Sequence, residues 1–192
     1  MAPLAVIIEK LAPQSKDGTL NVVIETPKGS RNKFDFDEAS GMFKLGGVLP
    51  AGAVFPFDFG FIPQTLGEDG DPLDVLVLMD EPAFAGCLVP ARLIGVIEAN
   101  QTERDGTTVR NDRFVAVAFK SYVHDDLQSL CDVNDTLLRE IEYFFESYNT
   151  IRDKHFETLA HSGPERAQEL LEIGAKQFKA KKRKASTRKQ TK

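Results

Sequence analysis

The hydrophobic period of the chain changes once, near Cys131, and this change limits the folds that the sequence can adopt. Before it, short β-branched and apolar runs alternate with turn residues, among them Ser40–Gly41 and Gly46–Gly47, which is typical of strands. The strand-like runs are Leu20–Thr26, Lys33–Asp37, Asp74–Met79, Cys87–Ala99 and Arg113–Phe119. Because no helix-like segment separates these runs, they favour a small antiparallel barrel over a parallel sheet wound with helices.

After Cys131 the apolar residues recur at helical spacing. In the segment Asn134–Phe156 one face collects Leu137, Ile141, Phe144, Phe145, Tyr148 and Ile151. Asn134 or Asp135 can cap this helix. A second helix is predicted to begin near Pro164, because proline is tolerated in a first turn. The expected fold class is α+β, with a small OB-like antiparallel β-barrel and two C-terminal helices packed against it.

The charge of the chain is unevenly distributed. The net charge of −5 includes nine Lys and Arg residues from Lys176 onward, where the sequence has no acid. With 192 residues the chain is long enough for one domain with its own core. We predict a single domain over residues 1–175 and a basic, disordered tail over residues 176–192. Such a run is most often simply solvated, so we expect no nucleic-acid partner.

The sequence predicts a cytoplasmic protein without a membrane partner. Its apolar runs are too short to cross a bilayer. The N-terminal stretch lacks a basic region, and Glu9 and Lys10 interrupt its apolar residues, so we expect no signal peptide. Cys87 and Cys131 cannot form a disulfide framework, and neither lies in a metal or redox motif.

The stretch GEDGDPLDVLVL, from Gly67 to Leu78, crowds four acids before an apolar strand. Two unit charges about 4 Å apart repel by about 4 kcal/mol at an effective dielectric constant of about 20. Residues two apart in an extended segment point the same way, so Asp69 and Asp71 can face one site. Asp74, at the mouth of the strand, can turn back towards them. Three carboxylates in one place are hard oxygen ligands of the kind that Mg²⁺ uses.

The acidic stretch could also be a solvated turn, which is common for an acidic loop between strands. An EF-hand loop does not fit, because Asp74 stands where the glycine belongs and Val75–Leu78 is apolar where ligands are needed. The sequence has no P-loop and no dinucleotide fingerprint. His124, His155 and His161 are not part of a nucleophile motif.

The motif DGDPLD, from Asp69 to Asp74, resembles the signature of the family I soluble inorganic pyrophosphatases. The resemblance extends over roughly Leu20–Phe156, where the flanking segments follow the family's order. These segments are VVIETP, KFD, FPFDFGFIPQTLGEDGDPLDVLVL, GVIE, RFVAV, DVND and FFESY. The resemblance implies Mg²⁺-dependent hydrolysis of pyrophosphate to two phosphates, with Mn²⁺ as an alternative cofactor. It also implies a homo-oligomer whose partner is this small-molecule substrate.

The resemblance assigns roles to individual residues. The catalytic residues would be Asp71 as the general base for the attacking water, with Lys33 and Tyr148. The substrate-binding residues would be Lys33, Lys44, Arg113 and Tyr148. The metal ligands would be Asp69, Asp71, Asp74, Glu25, Asp35 and Asp112.

The chain departs from the family at several site positions. Phe55 and Phe59 stand where the family has tyrosines, and we expect one of them to border the cleft. Gly47 and Asn149 stand where the family has a phosphate-binding arginine and a lysine. The family's second acidic loop aligns with Gln101, Asn111 and Arg113, with Glu103 and Asp112 close by. Because positive charge is lost at the site, we expect lower activity than in a member with the full set.

Two other functions are compatible with the sequence. The chain could be a divergent phosphohydrolase that acts on another phosphate-containing substrate. It could instead be a catalytically silent relative that acts as a binding module through its barrel and its basic tail.

Overall fold

The computed structural model describes residue 8 and residues 10–190, with side chains described through residue 184. The strands in this part of the chain are β1 (Leu20–Thr26), β2 (Asn32–Asp37), β3 (Met42–Val48), β4 (Asp58–Phe61), β5 (Asp74–Leu78), β6 (Leu88–Thr102), β7 (Thr108–Arg110), β8 (Arg113–Ala118) and β9 (His155–Ser162). The helices are α1 (Asp135–Thr150) and α2 (Pro164–Gln190), and a short 3-10 turn covers Leu130–Asp132.

Five strands close into a ring in the order β1, β4, β5, β8, β6 and back to β1. Neighbours in the ring are antiparallel except for β5 and β8, which are parallel. The long strand β6 also pairs with β7 and β9 at its far end. The structure thus confirms the predicted α+β fold with its small OB-like core and two helices, and it adds one parallel pair to the antiparallel pattern.

The wholly apolar sequence of β5 after Asp74 follows from burial of both of its faces. Leu76 and Leu78 pack in a core cluster that includes residues of α1. Val75 and Val77 point the other way and pack in a cluster that includes residues of α2. A strand that is covered on both sides needs apolar residues at every position, so its side chains show no alternation. The acidic loop therefore leads directly into the middle of the core.

The structure differs from the sequence prediction after α1. The helix begins at the predicted cap, where the Asn134 side chain accepts a hydrogen bond from the Thr136 amide at 2.9 Å. It ends at Thr150, whereas the helical spacing continued to Phe156. Asp153 adopts a φ of +56°, and the chain then turns into β9, which pairs with β6. The backbone partner offered by β6 is not visible in the local spacing, so this strand was not predicted.

The pair Gly46–Gly47 lies inside β3, although the sequence suggested a turn there. The hairpin between β2 and β3 turns at Gly41, as predicted from Ser40–Gly41. Gly46 has another role, because a Cβ atom on it would lie 1.6 Å from Oδ2 of Asp35. The absence of a side chain at Gly46 therefore makes room for the carboxylate of Asp35.

The second helix begins at Pro164, as predicted, and continues through Gln190. The predicted disordered tail therefore differs from the structure over residues 176–190, whose backbone is helical. Lys, Arg, Ala and Gln are strong helix formers, and this segment extends a helix that is anchored in the core by Ala167 and Leu171. Residues 1–7, residue 9 and residues 191–192 lie outside the described residues, and the division at Lys176 stays a prediction. Neither α1 nor α2 is apolar enough over a sufficient length to cross a membrane, and this holds for the described residues only.

Candidate active site

A large cleft of about 1060 Å³ brings most of the predicted site residues together. Its lining includes the predicted residues Glu25, Lys33, Asp35, Asp69, Asp71, Asp74, Arg113 and Tyr148. Its further polar lining includes Gln101, Glu103, Asn111, Asn149, Arg152, Lys154, Lys181 and Lys182. The cleft therefore combines a set of carboxylates with a set of cations, and these two sets come from different parts of the chain.

The loop before β5 places its three aspartates in the cleft. The Gly67 amide donates to the Asp71 carbonyl at 2.7 Å, and Gly70 adopts a φ of +94° between them. The Asp71 amide donates to Oδ1 of Asp69 at 3.1 Å. The turn is thus closed by its own backbone, and its acids line the cleft together with Asp74. The crowded acids therefore border a common space at the mouth of a buried strand.

Asp74 and Arg113 form an ion pair inside the cleft wall. They are opposite each other in the parallel pair of β5 and β8, and Nη1 of Arg113 lies 2.7 Å from Oδ2 of Asp74. The Arg113 guanidinium also lies 4.9 Å from the ring centre of Phe145, and only 4% of the residue is exposed. Burial raises the pKa of Asp74, and the charge of Arg113 opposes this rise. Arg113 therefore neutralises an acid of the site.

Glu25 on β1 and Lys33 on β2 both line the cleft. Glu25 is 9% exposed and accepts a hydrogen bond from the Phe36 amide at 2.7 Å. Burial raises the pKa of Glu25 to about 7, although the charge of Lys33 works against it. Burial by itself lowers the pKa of Lys33, but the charge of Glu25 and the contact with Asp35 help to outweigh it, so this pKa is raised. Lys33 consequently stays charged and forms an ion pair with Asp35.

The acids at the mouth of the loop are more exposed than Glu25. Asp69 is exposed to solvent. Its carboxylate is nevertheless partly desolvated, and this effect and the charges of Asp74 and Asp71 raise its pKa to about 6. Neither Asp69 nor Asp71 forms an ion pair with a cation of the described residues. These two carboxylates are therefore available to an external cation.

Sequence reasoning missed two cations, Arg152 and Lys154, that follow α1. The Arg152 guanidinium lies over the ring of Tyr148 at 3.8 Å from its centre. Lys154 forms an ion pair with Glu103 at 2.7 Å. Burial raises the pKa of Tyr148, so its hydroxyl keeps its proton at neutral pH. The basic residues in IRDKHF were visible, but the turn at Asp153 that directs them to the cleft was not.

The end of α2 supplies further residues to the rim of the cleft. Phe178, Lys181 and Lys182 line it, and Nζ of Lys182 lies 5.8 Å from the ring centre of Phe178. These lysines belong to the segment that the sequence assigned to a disordered tail. Their contribution depends on the continuation of the helix, which the charge run alone did not indicate.

The structure does not bring Lys44 and Asp112 into the cleft. The Lys44 side chain is 62% exposed and pairs with Asp37 at 2.8 Å. Oδ1 of Asp112 accepts hydrogen bonds from the Ala99 amide at 2.9 Å and from Nε of Arg110 at 2.7 Å. Asp112 lines a separate small cavity of about 70 Å³. The expected substrate role of Lys44 and the expected metal role of Asp112 therefore have no support from their positions.

The positions where the chain departs from the family are filled in different ways. Gln101 donates to Glu103 at 2.6 Å, and Asn111 donates to Gln101 at 3.3 Å, so amides occupy much of the predicted second acidic loop. Asn149 is 2% exposed, and its side chain donates to the Phe145 carbonyl at 2.8 Å. This buried amide provides no charge to the cleft.

The two phenylalanines that replace tyrosines are both buried and both line the cleft. Phe55 is 1% exposed and Phe59 is 4% exposed. The sequence predicts that one of them borders the cleft, and both do so while also belonging to the core. Nζ of Lys33 lies 5.7 Å from the ring centre of Phe59. The two rings thus give the cleft an apolar wall behind its charged groups.

The acids of the cleft suit Mg²⁺ by their chemistry, because carboxylate oxygens are its preferred protein ligands. Within the described part of the chain, no three acidic, His or Cys side chains already form a metal-binding group. Asp35 and Asp74 contact Lys33 and Arg113 instead. Mg²⁺ commonly uses one or two carboxylates and fills its other positions with water and substrate phosphate. The carboxylates of Asp69 and Asp71, which no cation of the described residues neutralises, satisfy that requirement.

Comparisons with known proteins point to one family. The model of the inorganic pyrophosphatase family matches residues 22–179. An inorganic pyrophosphatase of Synechocystis sp. is 38% identical over 172 residues, which cover 90% of this chain and 99% of that protein. The crystal structure of inorganic pyrophosphatase from Thermus thermophilus superposes with a TM-score of 0.81 at 32% identity, over 90% of this chain and 98% of that one. A structure of an inorganic pyrophosphatase from Neisseria gonorrhoeae also gives a TM-score of 0.81, at 30% identity, covering 90% of this chain and 99% of that chain.

Proposed function

Because the chain belongs to the inorganic pyrophosphatase family, we propose that it hydrolyses pyrophosphate to two phosphates with Mg²⁺ as cofactor. Mn²⁺ would be an alternative metal. The observation that carries the proposal is the composition of one cleft, where Glu25, Asp69 and Asp71 share the lining with Lys33 and Arg152. A dianionic or more highly charged substrate needs cations, and a metal that bridges it to the protein needs carboxylates.

In the proposed mechanism, Asp71 accepts the proton of the attacking water. Its carboxylate lies in the cleft and forms no ion pair within the described residues, so both oxygens can accept. Lys33 keeps its charge and would neutralise an oxygen of the phosphate under attack. Tyr148 keeps its proton and would donate a hydrogen bond to the leaving phosphate. Stabilising charge on the transferring group is most of what phosphoryl transfer requires.

Asp69, Asp71 and Asp74 are the proposed principal ligands of the metal, with Glu25 and Asp35 as outer ligands. When bound, Mg²⁺ would neutralise phosphate oxygens and lower the pKa of a coordinated water. Asp74 and Asp35 each contact a cation of the chain, so their participation requires that they share their oxygens with Arg113 and Lys33. Lys44 and Asp112 are left out of this proposal because their side chains are engaged elsewhere.

Two finer proposals concern the setting of the enzyme. We infer a homo-oligomer, and the exposed apolar side chains of Met42, Leu45 and Val48 on β3 offer a surface suited to such contacts. Light scattering during gel filtration would measure the mass.

We also infer a cytoplasmic location, with which the free thiols of Cys87 and Cys131 agree. Localisation of the tagged protein in its native cell would test this.

The direct test is phosphate release from pyrophosphate, measured with Mg²⁺, with Mn²⁺ and with a chelator. We expect release with either metal and none with the chelator. Nucleoside triphosphates and phosphate monoesters should be tested at equal concentration. If one of these is the better substrate, the chain is a phosphohydrolase of another specificity. No release from any of them, with the metal bound, would favour the silent binding module.

A further inference from the structure

The cations of the cleft differ in whether an acid of the protein already neutralises them. Lys33 is paired with Asp35, Arg113 with Asp74, and Lys154 with Glu103. A cation in such a pair is a weaker partner for an incoming anion, because its field is already balanced by the neighbouring carboxylate.

Arg152 is held in a different way. It forms no ion pair with an acid anywhere in the described part of the chain. Its guanidinium lies over the Tyr148 ring at 3.8 Å, and Nη1 donates to the Tyr148 carbonyl at 3.2 Å. A stacked guanidinium keeps its charge and most of its N–H donors free. Arg152 is therefore a half-buried cation in the cleft whose charge no carboxylate of the described residues balances.

The backbone around Arg152 is fixed on both sides. Its amide donates to the Asn149 carbonyl at 2.8 Å, and the Lys154 amide donates to the same carbonyl at 3.0 Å. Nε of Arg104 donates to the Arg152 carbonyl at 2.8 Å. A side chain that starts from so constrained a turn loses less freedom when it binds a ligand.

The space that the guanidinium occupies is bounded by Gly47 of β3. A Cβ atom on Gly47 would lie 3.1 Å from Nη2 of Arg152, so the missing side chain makes room for this end of the arginine. Gly47 is not among the described glycines with a positive φ, so its backbone can accept another residue. A cation placed on Gly47 would consequently reach the region that Arg152 now fills.

We propose that Arg152 is a substrate-binding residue that holds phosphate oxygens of pyrophosphate, and of product phosphate, in the cleft. This rests on the proposed function, because it names a further residue of the same site. A guanidinium can bind two phosphate oxygens at once, which a lysine cannot do. Tyr148 beneath it sets the plane of the guanidinium and so the direction of its free N–H groups.

The test compares Arg152→Met, which keeps the stem that covers Tyr148, with Arg152→Lys and the wild type. A charge-assisted hydrogen bond to phosphate corresponds to about a 10- to 150-fold change. We expect Arg152→Met to lower kcat/KM for pyrophosphate by about that factor, and Arg152→Lys to lower it less. Calorimetry with inorganic phosphate should show weaker binding in the same order. Arg139→Ala, on the exposed face of α1, is the matched control and should change neither quantity.

The double variant Gly47→Arg, Arg152→Ala separates a binding role from a structural one. If the charge is what matters, an arginine reaching the same space from β3 should recover much of the lost kcat/KM. An unchanged phosphate affinity and an unchanged kcat/KM in Arg152→Met would overturn the inference. If the wild type releases no phosphate from pyrophosphate, the proposed function has failed. The phosphate affinity of Arg152→Met alone then tests the role of Arg152. Weaker phosphate binding than in the wild type supports an anion-binding role, and unchanged binding rejects it.

Discussion

The acidic and the basic sides of the cleft are built in different ways. Three of the acids come from one turn of six residues, Asp69–Asp74, which closes on its own backbone. The cations come from β2, β8, the turn after α1 and the end of α2. The acidic side is therefore a local structure, whereas the basic side exists only when distant elements have packed together. A substitution in the acidic turn should therefore change mainly the chemistry of the site. A substitution of a cation can change both the stability of the protein and the binding of the substrate.

The largest effect is expected for Asp71→Asn. An amide cannot take the proton of the attacking water, and a general base typically contributes about 10²- to 10⁴-fold to the rate. We expect a loss of kcat of this order, with a urea unfolding curve like that of the wild type, because the loop keeps its backbone hydrogen bonds. Asp126→Asn, an exposed acid elsewhere, is the control. Unchanged turnover would remove Asp71 from the role of base.

Arg113→Met, on the basic side of the cleft, should cause a large loss in the free energy of unfolding. Removing one partner of a buried ion pair typically costs about 3–5 kcal/mol. The Asp74 side chain is still 23% exposed, so we expect the lower end, about 3 kcal/mol, in urea unfolding at pH 8. The double variant Arg113→Met, Asp74→Asn should recover much of this loss. If the single variant is as stable as the wild type, Asp74 does not depend on Arg113.

The third prediction concerns the pH dependence of stability in the metal-free protein. The folded pKa of Glu25 is raised from 4.5 to about 7, so the folded state binds its proton more tightly than the unfolded state. This stabilisation is fully present below pH 4.5 and is lost as the pH rises through 7. At about 1.4 kcal/mol per pKa unit, the loss is roughly 3 kcal/mol. Glu25→Gln cannot titrate and should lack this step, so parallel stability profiles of the two proteins from pH 4 to pH 8 would contradict the prediction.

The smallest effect is expected at the end of α2. Lys181 and Lys182 line the cleft but are exposed, so salt screens their charges. The variant Lys181→Gln, Lys182→Gln should raise KM for pyrophosphate by about two- to threefold, as expected for exposed charges, and the difference should vanish at high salt. The control is Lys179→Gln, Lys184→Gln, which removes two charges from the same helix outside the cleft. A loss of kcat in the first variant would mean that these lysines do more than attract the substrate.

The difference between the two sides also explains how much the sequence alone could reveal. Asp69, Asp71 and Asp74 were predicted from a contiguous motif, and the apolar run of β5 located them at the mouth of a buried strand. Arg152 was missed because its position depends on the turn at Asp153 and on the missing side chain of Gly47, which lies 105 positions earlier in the chain. Lys44 was assigned to the substrate by proximity in sequence, whereas alternation along β3 and an available acid at Asp37 direct it elsewhere.

For the fold, both helices and the strands β1, β2, β5, β6 and β8 were predicted, whereas β3, β4, β7 and β9 were not. The longest strand that the sequence did not predict is β9. Its sequence HFETLAHS has no sustained alternation of apolar and polar residues, and the strand forms by pairing with the edge of β6. The prediction of lower activity was based on the missing cations at Gly47 and Asn149 alone. It did not consider cations that arrive from other elements, such as Arg152 and Lys154.

The two-sided burial of β5 has a consequence for how the cleft comes apart. Asp74 begins a strand that pairs with β4 and β8 and whose other four residues are buried, so the amides of this strand should exchange with deuterium only when the whole domain opens. The turn over residues 151–154 is only partly buried and residues 181–184 of α2 are exposed, so both segments should exchange through smaller openings. In mild denaturant the chain would thus reach a state that still holds its acids and Arg113 in place after Arg152 and the lysines of α2 have come loose. Such a state would retain divalent ions while binding phosphate more weakly.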